Sequence, residues 1–411
     1  MTSICIYYKI HQPYRLIKYN SADFDVVHSY TDHEACRVII NKLADECYLR
    51  ANEILFNQIE KYRGRFSISF SMSGTALELF EKYRPDVIDS FRKLVATGKV
   101  EILAETYYHS LSSLHSVNEF RRQVRMHSGY INKLFGMQTS VFRNTELIHS
   151  NRIADIIADM GYKAILCEGN QRILKGRSPN HLYRSSGEGP VLFLRNTGLS
   201  DDIAFRFDDT NWNEHPLTTE KFALWLHQHA ETEEVINLMF DYETFGLHKK
   251  AESGIFDFLE SLPEAVLSDN NFDFSSPSAA LDVYRPLDIY DVPSPISWDD
   301  RANASCIWSE NMMQNNMLKK IYHIEKMVMA DGDEMIINKW GRLQAADYFY
   351  YMSKESCLNA AYRQHNPFLT PQEAFQNYSN IITDFEILLI KRQIDQMRGA
   401  SKQQTFIGNL F

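Results

Sequence analysis

Paired cysteines are missing from this sequence. Its six cysteines, Cys5, Cys36, Cys47, Cys167, Cys306 and Cys357, include no CxxC spacing. Such usage fits a reducing compartment better than a disulfide scaffold. Cys5 and Cys167 lie in apolar, strand-like runs and read as small buried hydrophobes. Long apolar runs are missing too, and none approaches the length of a membrane span. The opening residues, MTSICIYYKIHQP, are interrupted by Lys9 and carry no basic region ahead of an apolar core. No signal peptide is therefore expected, and the expected location is the cytoplasm, with no membrane partner. Positive charge is not in excess. The net charge is −10 and the pI about 5.8, which argues against general nucleic-acid binding and leaves neutral substrates open. There is no internal repeat and no low-complexity segment.

Aromatic residues are plentiful, with 22 Tyr and 25 Phe. Most such rings end in a core, but they also suit clefts for ligands with flat apolar faces, sugars among them. Strand-like runs alternate with helical spacing through the first 300 residues. Strands are expected at 3–10, 65–71, 99–104, 141–142, 163–168 and 235–240. VINLMF at 235–240 is apolar throughout, as a parallel strand buried on both faces should be. Residues 14–35 read as a long loop. Residues 170–216 read as an irregular insertion containing a short strand at 190–195. From about 304 onward the sequence is helical. The expected fold is an α/β barrel over 1–300 followed by a C-terminal helical region over 301–411 that completes the cleft.

The strand ends gather titratable residues: His11, Glu101, Glu105, His109, Glu146, Glu168 and Asp241. In α/β folds the chemistry sits at the C-terminal ends of the strands. Hydrolysis of a glycosidic bond needs two carboxyl groups flanking it, one ionised and one protonated, with environments that push their pKa values apart. Arg143 beside Glu146 favours the ionised form there. Asp241, followed by Tyr242 and Phe245, reads as the group that keeps its proton longer. Glu105 and Glu168 read as structural partners of arginines. A metal site built from His11, His109, Asp241 and His248 would suit a metal-dependent polysaccharide deacetylase. Neither HxxxH nor HExxH spacing supports it, so it ranks below the glycosidase, as does a non-catalytic glucan-binding protein.

Five segments in order resemble the motifs of glycoside hydrolase family 57, the α-amylase and 4-α-glucanotransferase family. They are His11-Gln12-Pro13, GKVEI at 98–102 running on to His109, FRNTELIHSN around Glu146, MFDYETFGLH around Asp241, and LQAADYFYYMS at 343–353. The forms FRNTEL and DYETFG look closest to the bacterial α-amylase group. The resemblance implies a distorted, TIM-like (β/α)7 barrel and a retaining mechanism on α-glucans or maltooligosaccharides, with no cofactor or metal needed. It implies Glu146 as nucleophile and Asp241 as general acid/base. It implies substrate contacts from His11, Glu101, His109, Arg143, His248 and Asp347. Outside the motifs, Trp298 reads either as a platform for a sugar ring in contact with substrate or as a core residue. Hydrolysis is the expected reaction, with transfer to a sugar acceptor as the alternative.

Overall fold

The computed structural model describes residues 1–26, 28–186, 189–229, 232–299, 306–358 and 366–408. Its chain separates into two compact units: Met1–Gln12 with Glu34–Ser305, and Pro13–His33 with Cys306–Phe411.

The first unit is built on seven strands. They are β1 (Thr2–Ile10), β2 (Ile68–Met72), β3 (Val100–Leu103), β4 (Val141–Arg143), β5 (Ala164–Glu168), β6 (Val191–Arg195) and β7 (Val235–Asp241). All pair in parallel: β7 with β1, β1 with β2, β2 with β3, β4 with β5, β5 with β6, and β6 with β7. The ring closes between β3 and β4, where Ala104 bridges Phe142 through hydrogen bonds of 2.9 and 2.8 Å. The fold is a (β/α)7 barrel. Helices return the chain between strands, among them Gly74–Tyr83, Pro85–Ala96, Val117–Phe135 and Asn151–Asp159. Their ends follow local chemistry. Ser116 accepts a hydrogen bond from the Glu119 amide at the start of Val117–Phe135, and Gly136 ends that helix in the left-handed region.

Side chains alternate across each strand, so one set fills the barrel. Cys5, Tyr7, Leu103, Val141, Leu166, Phe193 and Met239 form that interior. Each fully buried Leu or Phe there contributes roughly 1.5–3 kcal/mol. Continuing the phase of Cys5 and Tyr7 brings the Lys9 side chain inward as well. An ammonium in this position needs anionic partners.

Residues 191–195, expected as a short strand inside an insertion, form the sixth barrel strand. The segment 170–216 is therefore in part barrel wall, and its irregular look has a physical source. β6 carries an antiparallel hairpin partner, Leu182–Arg184, beside its parallel neighbours. Hairpin turns on one side and a short helix on the other break the strand–helix rhythm.

The second unit is helical, with Met312–His323, Glu325–Asp331, Glu334–Arg342, Ala346–Tyr350 and the long Pro371–Gly408. Residues 359–365, within the stretch expected to be helical from about 304 onward, lie outside the described residues. Residues 14–30, expected as loop, supply buried rings to this unit. Tyr19 and Tyr30 are buried, and Tyr30 packs edge-on to Phe385. Asp384 is wholly buried and is satisfied by the Tyr30 hydroxyl at 2.7 Å, the Asp25 amide at 2.6 Å and the His28 ring at 3.0 Å.

Candidate active site

The chain leaves β4 through a locked turn. Asn144 accepts from the Thr145 amide and donates to the Ile148 carbonyl at 2.8 Å, while Thr145 and Thr106 hydroxyls meet at 2.7 Å. Asn144 is thus spent on the turn rather than offered to a ligand. The turn forces Glu146 and Leu147 into the left-handed region, each at φ 53°. His109, in the loop after β3, sits there too at φ 51°. Such conformations cost non-glycine residues on the order of 1–3 kcal/mol each and cluster at functional sites. Here the strain aims one carboxylate at the C-terminal mouth of the barrel.

Glu146 has three donors. The His109 Nε2 lies 2.6 Å from Oε1, the Lys9 Nζ lies 3.3 Å from the same oxygen, and the Trp298 indole N–H donates to Oε2 at 2.6 Å. Burial alone would raise its pKa. Lys9, then His109 and Arg143, outweigh that and hold it well below the usual carboxylate range. Its ionised form is secure, as a nucleophile requires.

Asp241 ends β7 in register with Lys9 of β1, and the Lys9 Nζ is 3.3 Å from its Oδ1. One ammonium therefore spans both carboxylates, whose nearest oxygens lie no further apart than twice 3.3 Å, about 6.6 Å. The apolar setting expected of Asp241 is corrected, because the groups facing it are charged. Burial and the Glu146 charge push its pKa up, but Lys9, His248 and Arg143 together hold it below the usual value. The aromatic neighbours that suggested otherwise point elsewhere. Tyr242 is fully buried against Tyr8, Phe70 and Tyr48, on the outer side of the sheet. The Asp241 side chain remains 30% exposed and is open to a ligand.

A second layer fixes these groups. Gln12 donates to Glu243 at 3.1 Å and the Tyr48 hydroxyl does so at 2.6 Å, which ties the HQP and DYE segments together. His11 stacks on His109 with ring centroids 4.0 Å apart, and its Nδ1 meets the Ser73 hydroxyl at 2.7 Å. Burial lowers the His109 pKa to about 4, with the neighbouring His11 adding to the effect. Arg143 is wholly buried beneath the pair and reaches Glu105 at 3.5 Å, while Glu168 pairs with Arg195 at 3.4 Å. Gly246 closes the turn after Asp241 at φ 114°, where a β-carbon would stand 2.0 Å from the Glu46 carbonyl oxygen. Gly246→Ala is expected to destabilise the fold by roughly 3 kcal/mol, from overpacking and backbone strain together. Chemical denaturation of the variant checks this.

Of the residues named from sequence, His11, His109, Arg143, Glu146, Asp241, His248 and Trp298 come together. Trp298 is a hydrogen-bond donor to Glu146, so its placement differs from the simple ring platform expected of it. Glu101 does not join them. It sits near the start of β3 and accepts from the amide of Ser278 at 2.9 Å and from the Ser278 hydroxyl. Ser278 follows the strand Phe272–Phe274, which pairs with the first residues of β1, so this contact closes the N-terminal end of the barrel. Asp347 belongs to the helical unit, on Ala346–Tyr350. Lys9 was missed as a functional residue. Its signal was a lysine in the inward phase of an otherwise apolar strand. Among the described residues, no group of three or more His, Cys, Asp or Glu side chains is arranged to hold a metal ion.

Two carboxylates, one shared cation and a strained strand-end turn make an arrangement suited to acid–base and nucleophilic chemistry. The family model described as glycosyl hydrolase family 57 matches residues 5–293. The chain belongs to glycosyl hydrolase family 57. A Methanocaldococcus jannaschii protein, provisionally named an alpha-amylase, is 38% identical over 407 residues, which is 95% of this chain and 86% of that protein. The barrel and its helical companion also resemble solved structures of the family. A 4-alpha-glucanotransferase from Thermococcus litoralis superposes with a TM-score of 0.68 at 15% identity, over 93% of this chain and 60% of that one. A family 57 branching enzyme from Thermococcus kodakaraensis gives a TM-score of 0.67 at 15% identity, over 95% of this chain and 91% of that one. This family 57 chain is a glycoside hydrolase by membership, and those two likenesses establish its fold.

Proposed function

We propose that this enzyme cleaves α-1,4-glucosidic bonds in α-glucans and maltooligosaccharides with retention of configuration. Glu146 is the nucleophile and Asp241 the general acid/base. The observation that carries the reading is the carboxylate pair at the C-terminal mouth, with its nearest oxygens within about 6.6 Å of each other. Retaining enzymes hold their two carboxyl groups about 5–5.5 Å apart, and inverting enzymes leave about 6.5–9.5 Å for a water. The ceiling set by Lys9 admits the retaining spacing, and the family 57 motifs around Glu146 and Asp241 support retention. The relative named as an alpha-amylase supports an α-glucan substrate.

In the first step a Glu146 oxygen bonds to the anomeric carbon as the glycosidic C–O bond breaks. The departing oxygen takes the proton from Asp241. In the second step Asp241 removes a proton from water, whose oxygen displaces Glu146 from the sugar. A sugar hydroxyl in place of water gives transfer on the same two groups. The test is the product profile from maltoheptaose. Shorter maltooligosaccharides with matching new reducing ends are expected. Longer and shorter chains together, without net reducing ends, would make the enzyme a glucanotransferase. Complete inertness of the purified protein toward α-1,4-glucans would overturn the substrate assignment.

A further inference from the structure

Lys9 lies in β1, half-buried in the barrel mouth, and its ammonium is equidistant from the two carboxylates at 3.3 Å. Nothing in the chemistry of the two steps requires a cation there. An ammonium beside Asp241 even opposes the protonated form that the first step uses. It must therefore be explained by what it does over the whole cycle.

We propose that Lys9 is a positioning residue that sets the protonation order of the pair by exchanging its anionic partner as the reaction proceeds. This inference rests on the assignment of Glu146 and Asp241 above. In the free enzyme the ammonium neutralises one of two like charges and lets both carboxylates stay ionised at close range. When Glu146 becomes an ester, its charge disappears. Asp241 has just given up its proton, so the ammonium then has Asp241 as its anionic partner. That stabilises Asp241 as the base the second step needs. The cost falls on the first step, which draws on a small protonated fraction at neutral pH and so speeds up on acidification.

The other groups facing the pair do not replace this function. His109 on Glu146 is neutral over most of the pH range, with a pKa of about 4, and His11 is stacked behind it. Arg143 approaches both carboxylates from beneath but carries Glu105 at 3.5 Å. His248 acts on Asp241, and burial lowers its own pKa. Among the described residues, Lys9 is the cation that forms ion pairs with both carboxylates.

The test pairs Lys9→Met with Lys9→Arg. Carboxyl groups are followed by carbon-13 NMR titration of the free proteins, with Glu146→Gln and Asp241→Asn assigning the signals. In the wild type both groups should titrate in the acid range, as a coupled pair. In Lys9→Met the upper step of the pair should move up by about 1–3 pH units, the shift a contacting opposite charge produces. Lys9→Arg, which keeps the charge, should restore the low values. The pH optimum of maltoheptaose cleavage should move upward in Lys9→Met alongside the titration. An unchanged titration in folded Lys9→Met would overturn the proposal and leave Lys9 a packing residue. The readout needs no substrate. If the titration shifts while the wild type ignores α-glucans, the substrate reading fails and the control of the pair by Lys9 stands.

Discussion

Glu146→Gln is expected to cleave maltoheptaose at less than about 1/10,000 of the wild-type rate. Glutamine keeps the shape and can still meet Trp298 and His109, but its amide cannot form the glycosyl ester. The substitution also leaves the Asp241 carboxylate facing the Lys9 ammonium at 3.3 Å. The fold should survive, because the Asn144 turn and the Thr145–Thr106 contact do not involve the carboxylate. A companion variant separates lost chemistry from lost structure. Glu146→Gly suits the left-handed backbone at φ 53° and opens room at the anomeric carbon. With azide and an activated aryl α-maltooligoside it should form a glycosyl azide of inverted, β configuration. An α product, or no rescue in a folded variant, would move the nucleophile elsewhere.

Asp241→Asn is expected to lose about 100- to 10,000-fold on maltooligosaccharides, the usual range for general acid–base assistance. The loss should depend on the leaving group. An aryl glycoside with an acidic phenol needs little protonation, so its first step should be nearly intact. The second step should then limit, because no base activates the water. Azide, which needs no base, should accelerate turnover and give a product of retained, α configuration. The opposite stereochemistry for the two variants with one reagent separates the two roles. The double variant Glu146→Gln with Asp241→Asn should be no worse than about the poorer single, since the groups act as one unit. Equal loss on good and poor leaving groups would make Asp241 structural.

Much of this site was legible because barrel strands are written as apolar runs that stop abruptly, and their last residues are titratable. Glu146 and Asp241 stand at such stops. What the sequence hid were relations between strands. Lys9 sits beside Asp241 only because β1 and β7 pair in that register, and they lie more than 200 residues apart. Without it, Tyr242 and Phe245 made Asp241 look like a carboxyl in an apolar setting, although Tyr242 packs against the outer face of the sheet. Glu101 misled for a related reason. The period of two says that its side chain faces inward, but not which mouth of the barrel it serves. The Ser278 amide, brought by a segment 177 residues away, decides that. The sixth strand was expected at 190–195, but its hairpin neighbour obscured that it belongs to the barrel wall.

The most direct measurement is proton NMR of the first product released from maltoheptaose, recorded before mutarotation. The account predicts that the α anomer appears first and decays toward the equilibrium mixture, because two displacements at one carbon restore its configuration. A β anomer appearing first would mean a single displacement by water, and the Glu146–Asp241 pair could not then be the nucleophile and acid/base of a retaining enzyme.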